Sequence, residues 1–184
     1  MAEVKVGSTI PDIPVYYLPP TAGDVCVSAP SKININELEH PTVVVVVPGA
    51  FTPTCSEKHV PGFLTTSAIG HLKDAGVKNL LILSTDSPFI TRAWGENLSS
   101  GKKEIAKELQ DGYIKFVSDA SAELLTKLGL VGEPNDLFAK HGLRGLRSAL
   151  IIDSSGKVKY VGVETVKGAV SDSGIEAVLN ALKK

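Results

Sequence analysis

Cys55 closes the run Pro48-Gly49-Ala50-Phe51-Thr52-Pro53-Thr54-Cys55, which follows Thr42 and five consecutive valines. A thiol attacks as thiolate, and an ordinary cysteine with pKa ~8.5 is only about 3% thiolate at pH 7. The turn residues put Cys55 in the first turn of a helix starting near Thr54. Unpaired N–H groups and the helix dipole favour negative charge there. Lowering a thiol pKa to ~6 gains roughly 30-fold in thiolate. Enzymes typically accelerate by ~10⁶ or more, so the neighbours of such a thiolate must also orient and polarise its substrate.

The neighbours have the right chemistry. The Thr52 hydroxyl can both donate and accept, serving the sulfur on one side and a substrate oxygen on the other. Pro48 has no N–H and can wall the site against water. A guanidinium would complete the set. Arg144 and Arg147 lie beside the strand Ala149–Ile152, and Arg147 is nearer to it and better fixed. The pattern alone leaves Cys55 open between nucleophile and small buried hydrophobe. The second cysteine, Cys26, lies in Gly23-Asp24-Val25-Cys26-Val27-Ser28-Ala29-Pro30. It is either an exposed loop thiol able to reach a sulfenic acid or an idle residue on an edge strand.

The elements that position these residues follow from pattern. Val15–Leu18 is a possible strand in a segment rich in Pro and short polar residues, 1–41. Thr42–Val47, β-branched and bounded by prolines, reads as a strand buried on both faces. The helix from Thr54 continues through Leu64 and Ile69, kinked or interrupted at Pro61-Gly62. Leu80–Thr85 and Ile114–Val117 read as strands, Pro88–Leu98 as a helix and Lys102–Gln110 as an exposed polar helix. Ser121 is the expected cap of a helix running to Leu128 and stopping at Gly129. Ala149–Ile152 and Val158–Val163 form a hairpin. After Ser173 comes a last helix with Ile175, Val178, Leu179 and Leu182 on one face. Strands alternating with helices give an α/β fold with a central mixed sheet flanked by helices. Residues 130–147 form the one long irregular stretch.

With 184 residues, 43% of them apolar, and a formal charge of −1, the chain reads as a single soluble domain spanning 1–184. Two cysteines do not make a disulfide scaffold, and the charge gives no reason to expect nucleic acid or a membrane as partner. The longest apolar run, Val43 to Val47, cannot span a bilayer, and the N-terminus has no secretory pattern, so the expected location is cytoplasmic. Cys55-x-x-x-His59 places two possible metal ligands on one helix face. A structural zinc needs four ligands and there is no C-x-x-C partner, so His59 reads as a packing or hydrogen-bonding residue. No metal and no cofactor are expected.

The segment Pro48 to Ser56, with His59-Val60-Pro61-Gly62-Phe63 after it, resembles the active-site segment of peroxiredoxins of the peroxiredoxin 5 class. Gly7–Pro11, Ala93-Trp94, Phe116–Asp119 and Leu143–Asp153 resemble further family segments. The resemblance implies a thioredoxin fold and thiol-dependent reduction of hydrogen peroxide and alkyl hydroperoxides. It makes Cys55 the peroxidatic nucleophile, Thr52 the positioning hydroxyl, Pro48 the shield and Arg147 the stabilising cation. The family usually has an aromatic residue after that arginine, where this chain has Ser148. The position of Cys26 resembles the fungal alkyl-hydroperoxide-reductase branch, in which an upstream cysteine resolves the sulfenic acid. That branch also implies a homodimer recycled by thioredoxin, with glutathione and glutaredoxin as the route if Cys26 is idle. The competing reading is a peroxide-sensing redox relay or binding module of the same fold. The joint presence of Pro48, Thr52, Cys55 and Arg147 favours the enzyme.

Overall fold

A run of five valines is stable as a strand only where both faces are covered. The computed structural model, which describes residues 3–20, 29–132 and 142–184, places it inside a sheet, with a strand on either side. The strands are β1 (Val15–Tyr17), β2 (Ser31–Ile33), β3 (Thr42–Val46), β4 (Asn79–Ser84), β5 (Ile114–Ser118), β6 (Ser148–Ile152) and β7 (Val158–Val163). They lie in the order β2-β1-β5-β4-β3-β6-β7. β3, β4 and β5 are mutually parallel, and every other pairing is antiparallel. The helices are α1 (Val60–Phe63), α2 (Thr66–Asp74), α3 (Pro88–Ser99), α4 (Lys103–Gln110), α5 (Glu123–Leu128) and α6 (Ile175–Leu182).

The period of two in β3 splits its valines between two cores. Val43, Val45 and Val47 meet Val60, Phe63, Leu72, Trp94 and Val178, side chains of α1, α2, α3 and α6. Val44 and Val46 meet Leu81, Leu83, Leu124, Leu125 and Leu150 on the other face. Each fully buried valine contributes about 1.5–3 kcal/mol. The loop that leaves this strand therefore starts from firmly anchored backbone.

Several expectations are corrected or narrowed. Of the kink or interruption expected at Pro61-Gly62, the helix shows an interruption, and it falls just after them, at Leu64 and Thr65. The segment Cys55–His59 is a π-helical turn with Val60 N–H donating to the Cys55 carbonyl, Pro61 sits in the first turn of α1, and the chain leaves the helix at Leu64. The wider turn falls just ahead of the residue that lacks an N–H. Thr65 then caps α2, its side chain accepting from Ala68 N–H. α5 is not capped by Ser121. Ala122 stands at that position in left-handed conformation, and the Asp119 carboxylate accepts from the N–H groups of Glu123 and Leu125 at 3.0 and 2.8 Å. β2 was not foreseen, because Ser31-Lys32-Ile33 has one apolar residue and exists through its pairing with β1. α4 is not wholly exposed, since Ile105 reaches the core. The last helix keeps its expected face, with Val178 buried and Ile175, Leu179 and Leu182 packed against the same core.

Candidate active site

The carboxyl ends of the parallel strands β3, β4 and β5 and the amino end of the antiparallel strand β6 define the surroundings of Cys55. β3 delivers the turn 48–54, β4 delivers Asp86 just beyond its end, and Arg147 immediately precedes β6. Ligand sites of open α/β sheets collect at this edge.

Cys55 itself is fully buried, in the core with Val60, Phe63 and Val178. Arg147 Nη1 lies 3.5 Å from its Sγ. The same Nη1 lies 3.2 Å from His59 Nδ1. The other ring nitrogen, His59 Nε2, is 2.9 Å from the Ser173 carbonyl. A carbonyl only accepts, so Nε2 carries the proton and Nδ1 is the acceptor that faces Arg147. Burial pushes the His59 pKa down to about 4, the Arg147 charge acts in the same direction, and the Ser173 hydrogen bond and Glu164 oppose it. At neutral pH the ring is uncharged.

Ser173 is held in turn by Glu164. Glu164 Oε1 accepts from Asp172 N–H at 2.7 Å, Ser173 N–H at 2.8 Å and Ser173 Oγ at 2.9 Å. Oε2 accepts from Ser171 Oγ at 3.1 Å. Burial works to raise this carboxyl, but those donors outweigh it and hold it below the usual carboxylate range. The Tyr160 hydroxyl donates to the Asp172 carbonyl at 2.6 Å from beneath. Gly162 lies under the same carbonyl, and a Cβ there would stand 2.0 Å from the Asp172 oxygen.

The turn before Cys55 is fixed by a different carboxylate. Asp86 Oδ2 accepts from Ala50 N–H at 2.7 Å and from Ser84 Oγ at 3.1 Å, and Oδ1 pairs with Arg144 Nη1 at 2.6 Å. This holds Phe51 in left-handed conformation at φ 59°, which is uncommon for a bulky residue. Its half-exposed ring packs 6.4 Å from Trp94, whose Nε1 donates to Ser56 Oγ at 3.0 Å. Both sides of Cys55 are thus tied to one buried indole. Phe89, on the same helix as Trp94, is exposed and does not join that core.

A cleft of about 430 Å³ opens beside the site, lined by Pro48, Thr52, Thr54, Arg147, Glu164 and Val166 among others. Pro48, Thr52 and Arg147 share the wall of this space, and Arg147 also reaches the sulfur. Thr52 Oγ1 donates to the Gly49 carbonyl at 2.9 Å.

The Redoxin family pattern matches residues 5–179 of this chain. Peroxiredoxin AHP1 of Chaetomium thermophilum is 35% identical over 188 residues, covering 99% of this chain and 96% of the relative. The chain belongs to the peroxiredoxin family. Peroxiredoxin-2B of Arabidopsis thaliana is 33% identical, covering 99% of this chain and all of its own length. Reduced Prx3 from Vibrio vulnificus, crystallised in complex with hydrogen peroxide, superposes with a TM-score of 0.77 at 29% identity. That match covers 97% of this chain and 99% of the Vibrio chain. The fold is the thioredoxin fold of these relatives, and the peroxiredoxin is a thiol peroxidase, an oxidoreductase.

This peroxiredoxin brings together four of the residues singled out in the sequence. Cys55 and Arg147 are in contact, and Pro48 and Thr52 share the adjoining cleft wall with Arg147. Cys26 lies outside the described residues. The Cys55–His59 spacing serves hydrogen bonding, since both His59 nitrogens are engaged. Ser148, where the family usually has an aromatic residue, is buried and donates to the Leu146 carbonyl at 3.0 Å. Sequence reasoning missed Asp86, Glu164 and Ser173. Asp86 had a usable signal, because it directly follows a buried parallel strand. Glu164 likewise follows β7.

Proposed function

We propose that Cys55 is the peroxidatic nucleophile and that Thr52, Pro48 and Arg147 serve it. The observation that carries this reading is the Arg147 guanidinium 3.5 Å from the sulfur of a fully buried cysteine. The Cys55 thiolate attacks one peroxide oxygen as the O–O bond breaks. Sulfur is oxidised by two electrons to sulfenic acid, and the leaving oxygen departs with a proton as water or an alcohol. Arg147 stabilises the charge on sulfur and on the departing oxygen. Thr52 turns its hydroxyl from the Gly49 carbonyl toward the substrate, and Pro48 keeps that wall free of a competing N–H.

The substrates are hydrogen peroxide and alkyl hydroperoxides. The hydrogen peroxide in the Vibrio vulnificus complex supports the first, and the partly apolar 430 Å³ cleft supports the second. Cys26 resolves the sulfenic acid: its sulfur bonds to Cys55 and water leaves. A thioredoxin-type dithiol then reduces the disulfide. The upstream placement of Cys26, as in the branch this chain resembles, supports that cycle. A homodimer is supported by the half-exposed Phe51, Phe89 and Ile90, apolar side chains that a second copy would cover.

Cys55→Ser is expected to abolish peroxide consumption in a coupled assay with thioredoxin, thioredoxin reductase and NADPH, with an unchanged circular dichroism spectrum. Wild-type turnover in that variant would remove Cys55 from the mechanism. A Cys26→Ser chain is expected to form its sulfenic acid and then stall with thioredoxin.

A further inference from the structure

Arg147 is held at both ends, and both holds pass through Glu164. Its backbone carbonyl accepts from Glu164 N–H at 2.9 Å. Its guanidinium donates to His59, which donates to the Ser173 carbonyl, and Ser173 is bonded through both N–H and hydroxyl to the Glu164 carboxylate. The hydrogen bonds close into a ring: Arg147 backbone, Glu164, Ser173, His59, Arg147 side chain.

We propose that Glu164, Ser173 and His59 are positioning residues for Arg147, forming a ring that fixes the guanidinium against the Cys55 sulfur. This rests on the assignment of Cys55 as nucleophile and Arg147 as its partner.

Three features support the proposal. First, the ring links side chains from segments distant in the chain: Ser173 is 114 residues from His59, and His59 is 88 residues from Arg147. Second, four hydrogen bonds from residues 171–173 converge on one carboxylate, and Tyr160 adds a fifth to the Asp172 carbonyl. That is far more restraint than a surface turn needs, and it defines where the Ser173 carbonyl points. Third, the group that touches the guanidinium is a neutral acceptor. A carboxylate in the place of His59 would draw the positive charge toward itself. An uncharged imidazole fixes the geometry and leaves the charge to act on sulfur and oxygen. Misplacing a catalytic group by about 1 Å can cost about 10²-fold in rate, so the restraint bears directly on the chemistry.

A double-mutant cycle on the rate of peroxide with Cys55, measured in single turnover, separates positioning from general support of the fold. Glu164→Ala is expected to react about tenfold slower than wild type, and Arg147→Gln about 10²- to 10³-fold slower. The double variant is expected to match Arg147→Gln within about twofold, because the ring acts only through that guanidinium. Glu164→Gln, which keeps the Oε1 acceptor, is expected to recover most of the rate. Slowdowns that multiply in the double variant, or Glu164→Ala reacting at the wild-type rate, would overturn the proposal. Should Glu164→Ala not fold, Ser173→Ala removes one of the four hydrogen bonds and keeps the carbonyl. Its expected slowdown of about twofold must likewise vanish in the Arg147→Gln background. Cys55→Ser, run alongside, reports separately on the assignment of the nucleophile. If it still consumes peroxide, that assignment fails whatever the cycle shows.

Discussion

Arg144 and Arg147 stand three residues apart at the mouth of the same cleft, and their surroundings differ in kind. Arg144 pairs with the Asp86 carboxylate at 2.6 Å, and that carboxylate also holds Ala50 N–H. Arg147 meets a neutral imidazole and a sulfur. The first cation is answered by a full negative charge and contributes to the shape of the turn before Cys55. The second is oriented by a group that leaves its charge in place, so it can answer charge that appears only during reaction. Two identical side chains take opposite parts because one has a carboxylate for an acceptor and the other has a ring nitrogen.

The strongest way to break this contrast is to remove the cation that faces the sulfur. Arg147→Gln should raise the barrier for peroxide attack by about 3–4 kcal/mol, read as the single-turnover rate, with little change in urea midpoint. Arg147→Lys should recover only part of the rate, since an ammonium cannot bond in the fork geometry of a guanidinium. An Arg147→Gln enzyme reacting within threefold of wild type would place the two arginines in one class.

Next in size is the effect of acid on the ring that orients Arg147. The folded-state pKa of His59, about 4, lies below its ordinary 6.5, so the unfolded chain binds the proton more readily. The stability this gives is complete above about pH 6.5 and is lost as pH falls toward 4, in total about 3 kcal/mol. The charged groups acting on the His59 ring are Arg147 and Glu164, and a protonated His59 would set two cations together. Urea unfolding at pH 7 and at pH 4.5 should show a larger loss for wild type than for His59→Gln. Equal losses would mean that His59 is not buried in its neutral form.

The smallest expected effect sharpens the Arg144 side. Asp86→Ala leaves a partly buried guanidinium without this carboxylate and Ala50 N–H without its acceptor. It should cost about 2 kcal/mol of stability while slowing peroxide attack less than tenfold. Combining it with Arg144→Ala should add little further loss. Here stability moves more than rate, the reverse of the expectation for Arg147→Gln.

What could be read in the sequence follows the range of the interactions. The valine run, the turn at Pro48 to Thr54, the β6–β7 hairpin and the face of α6 are local patterns, and each is present in the fold. Arg147 stood out because it borders a strand and fits the family segment, although its contact with Cys55 spans 92 residues. Asp86 and Glu164 carry only the weak signal of following a strand and Ser173 carries none, because their importance comes from partners far along the chain, at 36, 17 and 114 residues for Ala50, Arg147 and His59. β2 escaped for a similar reason: three mostly polar residues become a strand only when β1 lies beside them. The π-helical turn has no composition of its own, and only the proline after it hinted at irregular geometry.

Gly162 carries no chemistry, yet the Asp172 carbonyl rests so close above it that a single methyl group would have to displace the strand or the turn. That turn aims the Ser173 carbonyl, and so the space above a glycine in β7 bears on the surroundings of one sulfur. In a laboratory search for variants with altered peroxide tolerance, hits at Gly162 would belong with the active site, however far their side chains lie from it.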